Sequence, residues 1–253
     1  MTDNLVEKQF GPRAAAYVAS AVHAQGEDLD ALAAFAAPRR FGRALDLGCG
    51  GGHVSYTLAP LVSTVVAYDL SQAMLDAVAK EAAGRGLANL STQQGVVETL
   101  PFADASFDFA ATRYSAHHWH DVPAALKESR RVLKPGGALM VMDAVAPEST
   151  VCDTFLQTIE MLRDPSHVRD YSVREWINML KAAGFTPEEP VRRRVHLDFA
   201  TWIARMQTPP VQADAIRALM AEMPEEVRTH FALEANGSFM LDTVSVVAQI
   251  ASP

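Results

Sequence analysis

From Arg43 to Met142, short apolar runs alternate with stretches whose apolar residues recur every three or four positions. Short runs of this kind fit strands covered on both faces, and the longer period fits the helices that cover them. The strands predicted are 43–47 (RALDL), 64–69 (TVVAYD), 91–95 (STQQG), 107–113 (FDFAATR) and 138–143 (ALMVMD). Between them, SQAMLDAVAKEAAGRG predicts a helix capped by Ser71 and ended at Gly84 or Gly86. VPAALKESRRVL predicts another, with Pro123 in its first turn and KPGG as its stop. The alternation predicts a doubly wound half-sheet of parallel strands.

The flanks read differently. PRAAAYVASAVHA and DLDALAAFAA predict two amphipathic or largely buried helices separated by a turn at Gly26. After the core, VREWINMLKAAGF predicts a helix that stops at Gly184, and 191–199 (VRRRVHLDF) alternates like a strand. An Ala-, Met- and Glu-rich helical stretch from 200 to 234 is broken at Pro209, Pro210 and Pro224. Asn236-Gly237 then offers a turn before a β-branched run that ends at Ile250.

Composition narrows the class. At 253 residues, 49% of them hydrophobic, the chain can bury a full core as one domain with appendages. No window approaches the roughly 18 apolar residues of a membrane span, and the first ten residues lack the pattern of a secretion signal. Two widely separated cysteines, Cys49 and Cys152, fit free thiols in a reducing compartment, so a cytoplasmic protein is expected. The formal charge of −8, with basic runs as short as those at 39–40 and 192–194, gives no footprint for a phosphate backbone. The expected partner is a small molecule rather than nucleic acid or a membrane.

The sharpest motif is LDLGCGGGH, residues 45–53, between a predicted strand and a predicted helix. Glycines there permit a tight turn and close approach of backbone to a ligand, beside the free N–H groups of a helix start. Asp69 follows at the end of the next strand, where a carboxylate can accept hydrogen bonds from both ribose hydroxyls. Together they predict an adenosine grip. A dinucleotide loop needs a small residue where this chain has His53, which disfavours a nicotinamide-dependent oxidoreductase.

At these residues the chain resembles the class I S-adenosylmethionine-dependent methyltransferases. Within them it is similar to the quinone-biosynthesis (UbiE-like) branch. The resemblance rests on LDLGCGGG, VVAYDLSQAML, GVVETLPFADASFDFA, HHWHD and ALKESRRVLKPGGALMVMD, in the family's order. RDPSHVRDYSVREWINMLKAAGF and EVRTHFALEANGSFMLDT extend it to bacterial YafE-type proteins over nearly the whole chain. The implied fold is an α/β, doubly wound, mostly parallel seven-stranded sheet, Rossmann-like, with added helices. Its antiparallel last strand, at the sheet edge, would be Leu241 to Ile250. The resemblance also implies that Asp46, Gly48, Cys49 and Gly50 surround the methionine part of S-adenosyl-L-methionine. Asp69 would bind its ribose, Leu70 and Met74 would flank the adenine, and the Val97 N–H would reach the ring. Where the family commonly has Asp, this chain has Val96, so a contact to the adenine amino group is lost or replaced. Tyr17 is a candidate for the cofactor's carboxylate, and Arg13 and His23 are companions on the same predicted cover.

Methyl transfer from a sulfonium needs alignment, and a general base only if the acceptor must lose a proton. The cluster RYSAHHWHD, residues 113–121, follows the fourth predicted strand and so lies on the rim of the glycine loop. Adjacent His117 and His118 diverge in any regular structure, and a metal would want further converging ligands, so no metal is expected. Two readings remain: a structural one, with Trp119 in the core, and a pocket wall with His118 as the facing side chain. His120 beside Asp121 helps start the next helix. A second candidate is DPSHVRDYS, where His167 and Arg169 stand in a Pro-marked connection; the alternative there is a solvated loop. Arg192 to Arg194 read as a solvated strand edge or as a patch for an acidic substrate.

The sequence therefore predicts a single methyltransferase domain over 1–253. It comprises a helical lid (1–38), a cofactor core (39–146) and acceptor-side helices with the final strands (147–253). The predicted reaction is direct methyl displacement from S-adenosyl-L-methionine, leaving S-adenosyl-L-homocysteine, onto a small acceptor that is partly hydrophobic or aromatic. The rival readings are a non-catalytic binder of the same cofactor and the dinucleotide-dependent oxidoreductase.

Overall fold

The computed structural model describes residues 3–11 and 25–251. The segment predicted as the first long helix, with Arg13, Tyr17 and His23, lies outside the described residues. The chain opens with α1 (Asp3–Phe10), α2 (Glu27–Ala36), β1 (Arg43–Leu47), α3 (His53–Leu58), β2 (Thr64–Asp69) and α4 (Gln72–Gly84). It continues through β3 (Leu90–Gln94), β4 (Phe107–Arg113), a 3-10 turn (Ala116–His118), α5 (Val122–Val132) and β5 (Leu133–Ala144). Next come α6 (Thr150–Arg163), α7 (Val173–Ala182), β6 (Thr186–Pro187) and β7 (Val191–Leu197). The last elements are α8 (Phe199–Met206), α9 (Pro210–Glu222), α10 (Glu225–His230) and β8 (Phe239–Gln249).

The strands form one sheet in the order β3-β2-β1-β4-β5-β8-β6, with β7 also paired to β8. β1 to β5 are mutually parallel, and β8 runs antiparallel to β5 in register Ala138↔Gln249 through Ala144↔Thr243. The sheet thus has seven positions, the seventh filled by two segments. β6 pairs with Gln249 and Ala248, whereas β7 pairs with Ser245 through Phe239. The last strand is therefore antiparallel as expected but does not lie at the edge. It is flanked on both sides and buries residues facing both ways, so the edge passes to the Arg-rich β7, whose side chains tolerate water.

Side-chain alternation explains the layers. β1 sends Leu45 and Leu47 toward α5 and α7, where Leu126, Trp176 and Leu180 are buried. Ala44 faces the other side with Phe109 and Met140, covered by Leu32 of α2 and Leu58 of α3. Beyond the sheet, α6, α8, α9 and α10 close a second apolar cluster around Phe155, Trp202, Ile216 and Phe231, joined by Phe239 of β8. α5 stops at Val132, before the predicted KPGG. Leu133 pairs with Phe107 and Ala138 with Phe109, so residues 134–137 bulge out of the β4–β5 ladder.

Candidate functional site

The parallel strands point their carboxyl ends at one rim, and the strand order reverses between β1 and β4, where α/β sheets form a crevice. The loop joining β1 to α3 lines that crevice. Its backbone is anchored from below, since Gly48 N–H and Cys49 N–H donate to the Tyr68 carbonyl at 2.8 and 3.0 Å. Gly48 (φ +65°) presses on the next loop so closely that a Cβ would lie 1.8 Å from Ser115 Oγ. Gly50 (φ +48°) is the opposite case: a Cβ there would meet nothing within 4 Å. One glycine is required by packing, the other leaves a cradle open.

Asp69 ends β2 and closes the cradle. Its Oδ2 accepts from Gly50 N–H at 2.8 Å and its Oδ1 from Ser71 N–H at 2.9 Å. Ser71 in turn caps α4 by accepting from Met74 N–H. Burial raises the Asp69 carboxyl above the usual range, against those two backbone donors. Asp46 is 1% exposed and accepts from Ser55 N–H at 3.0 Å and Ser55 Oγ–H at 2.6 Å. Its burial pushes the carboxyl up to about 7 despite both bonds. The buried Cys49 thiol is held well above its ordinary value by burial, then by the Asp69 and Asp46 charges, so it offers no thiolate nucleophile.

The opposite wall comes from the loop after β4. Tyr114 has a left-handed φ of +48° that turns the chain into the 3-10 turn. Ala116 N–H and His117 Nδ1 both bond the buried Asp143 of β5, at 2.9 and 2.7 Å. Burial disfavours the His117 cation, but the Asp143 charge and hydrogen bond outweigh it and raise His117 to about 9. His118 does not diverge from it as expected, because the 3-10 turn sets the two rings side by side. Its Nδ1 lies 3.1 Å from the Ser166 carbonyl, which can only accept, so Nδ1 carries the proton and Nε2 the lone pair. Burial, then the neighbouring His117 charge, lowers His118 to about 4. Two adjacent imidazoles, with ring centroids 4.3 Å apart, thus hold opposite protonation states at neutral pH.

His118 stands where two cavities meet. The first holds the glycine loop, Asp46 and Asp69, and it is also lined by Leu70, Met74, Val97 and His118. All the predicted cofactor residues among those described are thus brought to one cleft. Val96 lines it too, and the Val97 N–H bonds no described residue. The second cavity, of about 490 Å³, shares Phe10, Arg113, Tyr114 and His118 with the first. It continues past His117, Arg163, Trp202, Met206, Leu241 and Thr243. Arg113 separates the two at one side, held by Asp28 of α2 through Nε at 2.5 Å and Nη2 at 3.1 Å.

His167 lines neither cavity. It is buried behind His117, with ring centroids 5.8 Å apart, and its Nε2 bonds Gln157 Oε1 at 3.0 Å. Arg169 pairs with Asp153 at 3.0 Å on the connection's outer side. Asp121 caps α5 through Ala124 N–H, while His120 lines the first cavity and its N–H donates to Glu98. Of the three edge arginines, Arg193 bonds Ser245 and Glu27, and Arg194 bonds Asp242. Sequence reasoning missed Phe10 and Glu98 as lining residues, whereas Arg113 and Tyr114 fall within the predicted rim cluster. What the sequence did not signal for Arg113 is its pairing with Asp28, 85 residues away. Among the described residues no group of His, Cys, Asp and Glu is arranged to hold a metal ion, and no helix is long and apolar enough to cross a membrane.

The comparisons agree with this geometry. A family model described as "Methyltransferase domain" matches residues 45–141, the span from the glycine loop to β5. The chain is 48% identical to the protein YafE of Escherichia coli (strain K12) over 205 residues, covering 81% of this chain and 99% of YafE. It is 35% identical to the methyltransferase YcgJ of Bacillus subtilis (strain 168), covering 91% of each chain. The YcgJ crystal structure superposes with a TM-score of 0.86 over 90% of this chain and 99% of that one. A 2-phytyl-1,4-naphtoquinone methyltransferase of Synechococcus elongatus (strain ATCC 33912 / PCC 7942 / FACHB-805) is 36% identical over 121 residues, 46% of this chain and 51% of the relative. With a glycine loop, a buried carboxylate at the end of β2 and this degree of likeness over most of its length, the chain belongs to the S-adenosylmethionine-dependent methyltransferases of class I, Rossmann-like fold.

Proposed function

We propose that this methyltransferase binds S-adenosyl-L-methionine in the first cavity and a small, partly hydrophobic or aromatic acceptor in the second, with His118 between them. The residues of the first cavity fit the cofactor. The open side of Gly50 makes room for it, Asp69 offers oxygens to two ribose hydroxyls, and the Val97 N–H is available to a ring nitrogen. Leu70 and Met74 supply apolar walls for the adenine. Bound there, the sulfonium supplies an activated methyl group, and S-adenosyl-L-homocysteine remains after its transfer.

The observation that carries the acceptor assignment is that His118 lines both cavities and keeps a bare Nε2. A neutral imidazole at the junction can take a proton from the acceptor as it attacks. The apolar part of the acceptor would meet Trp202, Met206 and Leu241, and the quinone-methylating relative favours an aromatic one. In this reading residues 1–38 cover the cofactor core of 39–146, and residues 147–253 enclose the acceptor. Both cysteines are free and buried, which suits a reducing, cytoplasmic setting. His118→Gln is expected to keep S-adenosyl-L-homocysteine affinity, measured calorimetrically, while losing about 100-fold in turnover with a methylated aromatic acceptor. Methylation of purely polar acceptors alone, or undiminished turnover in the variant, would overturn the reading.

A further inference from the structure

The second cavity contains a device that general base chemistry at His118 does not use. His117 presents its side chain to that cavity, 19% exposed, while its Nδ1 is tied to Asp143 at 2.7 Å. Asp143 is itself fixed by Ala116 N–H and Ala144 N–H, so the ion pair cannot swing away. Nε2 of His117 bonds no described residue. Because Asp143 raises His117 to about 9, its ring is a positively charged donor at neutral pH, beside the bare acceptor nitrogen of His118. Side by side, one donor and one base are complementary to a hydroxyl that must leave its proton behind.

We propose that His117 is an oxyanion-stabilising residue and that the acceptor carries an acidic hydroxyl, a phenol or an enol, which the site binds as its anion. This rests on the second cavity being the acceptor site. The acceptor O–H bond breaks and an Nε2–H bond forms on His118. The electron pair stays on the acceptor oxygen, where it accepts from His117 Nε2–H, and the proton passes from His118 to solvent afterwards. A preorganised donor of this kind acts where negative charge develops and needs no rearrangement.

Other charges around the pair leave this polarity in place. Glu160 and Arg163 of α6 pair with each other at 3.1 Å, and Asp164 accepts from Ser166 N–H and Oγ–H. Asp170, 2% exposed and facing both His117 and the second cavity, is raised by burial to about 8 and is largely neutral at neutral pH. His167, behind the pair, is pushed below its ordinary value by burial, then by the His117 charge, so it adds no second cation.

The test uses the full-length protein saturated with S-adenosyl-L-homocysteine, ¹⁵N-labelled at histidine, with 4-nitrophenol as the probe because its phenolate absorbs visibly. Histidine resonances are expected to show His117 protonated up to about pH 9 and His118 neutral down to about pH 4. Bound nitrophenol is expected to ionise about one pH unit below free nitrophenol. His117→Gln should abolish that shift while S-adenosyl-L-homocysteine affinity stays near wild type and helix content by circular dichroism is retained. If the probe perturbs neither histidine, the acceptor-site reading falls and this proposal with it. If it perturbs both yet ionises at its free value, or if the shift survives His117→Gln, only the role of His117 is overturned.

Discussion

In the proposed site Gly50, Asp69 and His118 carry separate parts, and single substitutions separate them. Asp69→Ala removes a carboxylate expected to hold two ribose hydroxyls and strands the N–H groups of Gly50 and Ser71. Two hydrogen bonds to a charged acceptor are together worth about 3 kcal/mol, so S-adenosyl-L-homocysteine should bind about 100-fold more weakly by calorimetry, with helix content by circular dichroism retained. Gly50→Val instead puts a branched side chain into the cradle at a φ that costs about 1–2 kcal/mol. Binding should disappear; wild-type affinity in either variant would contradict the pocket. These positions were legible in the sequence because a glycine loop and the acid after the next strand are local patterns. The His118 tautomer was not, since it depends on the Ser166 carbonyl 48 residues away. The Arg113–Asp28 pair, 85 residues apart, was equally hidden.

Among the elements, local signals located strands and helices well but not their neighbours. β1, β2 and β4 span the predicted ranges, and α4 and α5 start at their predicted Ser71 and Pro123 signals. The interior position of β8 was not legible, because its β-branched run fits an edge or an interior strand equally well and only pairing with β7 decides. α7 illustrates how a local signal supports the site at a distance. Ser172 and Glu175 form a reciprocal capping box, and Ser172 also bridges to Ala146 just after β5. The cap thereby anchors the connection that holds Ser166 under His118. Ser172→Ala is expected to cost about 1 kcal/mol, lowering the melting temperature by about 2–4 °C in calorimetry. An unchanged melting temperature would mean that α7 does not depend on its cap.

For the whole molecule, the paired histidines link stability to pH in a defined window. His117 is raised from 6.5 to about 9, so its contribution is complete below pH 6.5 and is lost as pH rises through 9. His118 is lowered to about 4, so its neutral form contributes fully above pH 6.5 and is lost as pH falls through 4. Asp46, raised from 3.8 to about 7, favours the fold while neutral and loses that advantage as pH rises from 3.8 through 7. On the acid side Asp46 and His118 oppose each other, whereas between pH 7 and 9 His117 remains alone of the three. The melting temperature should fall across that interval in the wild type and stay flatter in His117→Gln; equal slopes would remove the ion pair from the account.

All of these effects converge on where the cofactor lies relative to the two cavities. A crystal structure with S-adenosyl-L-homocysteine bound measures that directly. The account predicts both ribose hydroxyls on Asp69, the homocysteine portion over Gly50, and the sulfur turned toward His118 at the mouth of the second cavity. Ribose bound elsewhere, or a sulfur facing away from His118, would contradict it.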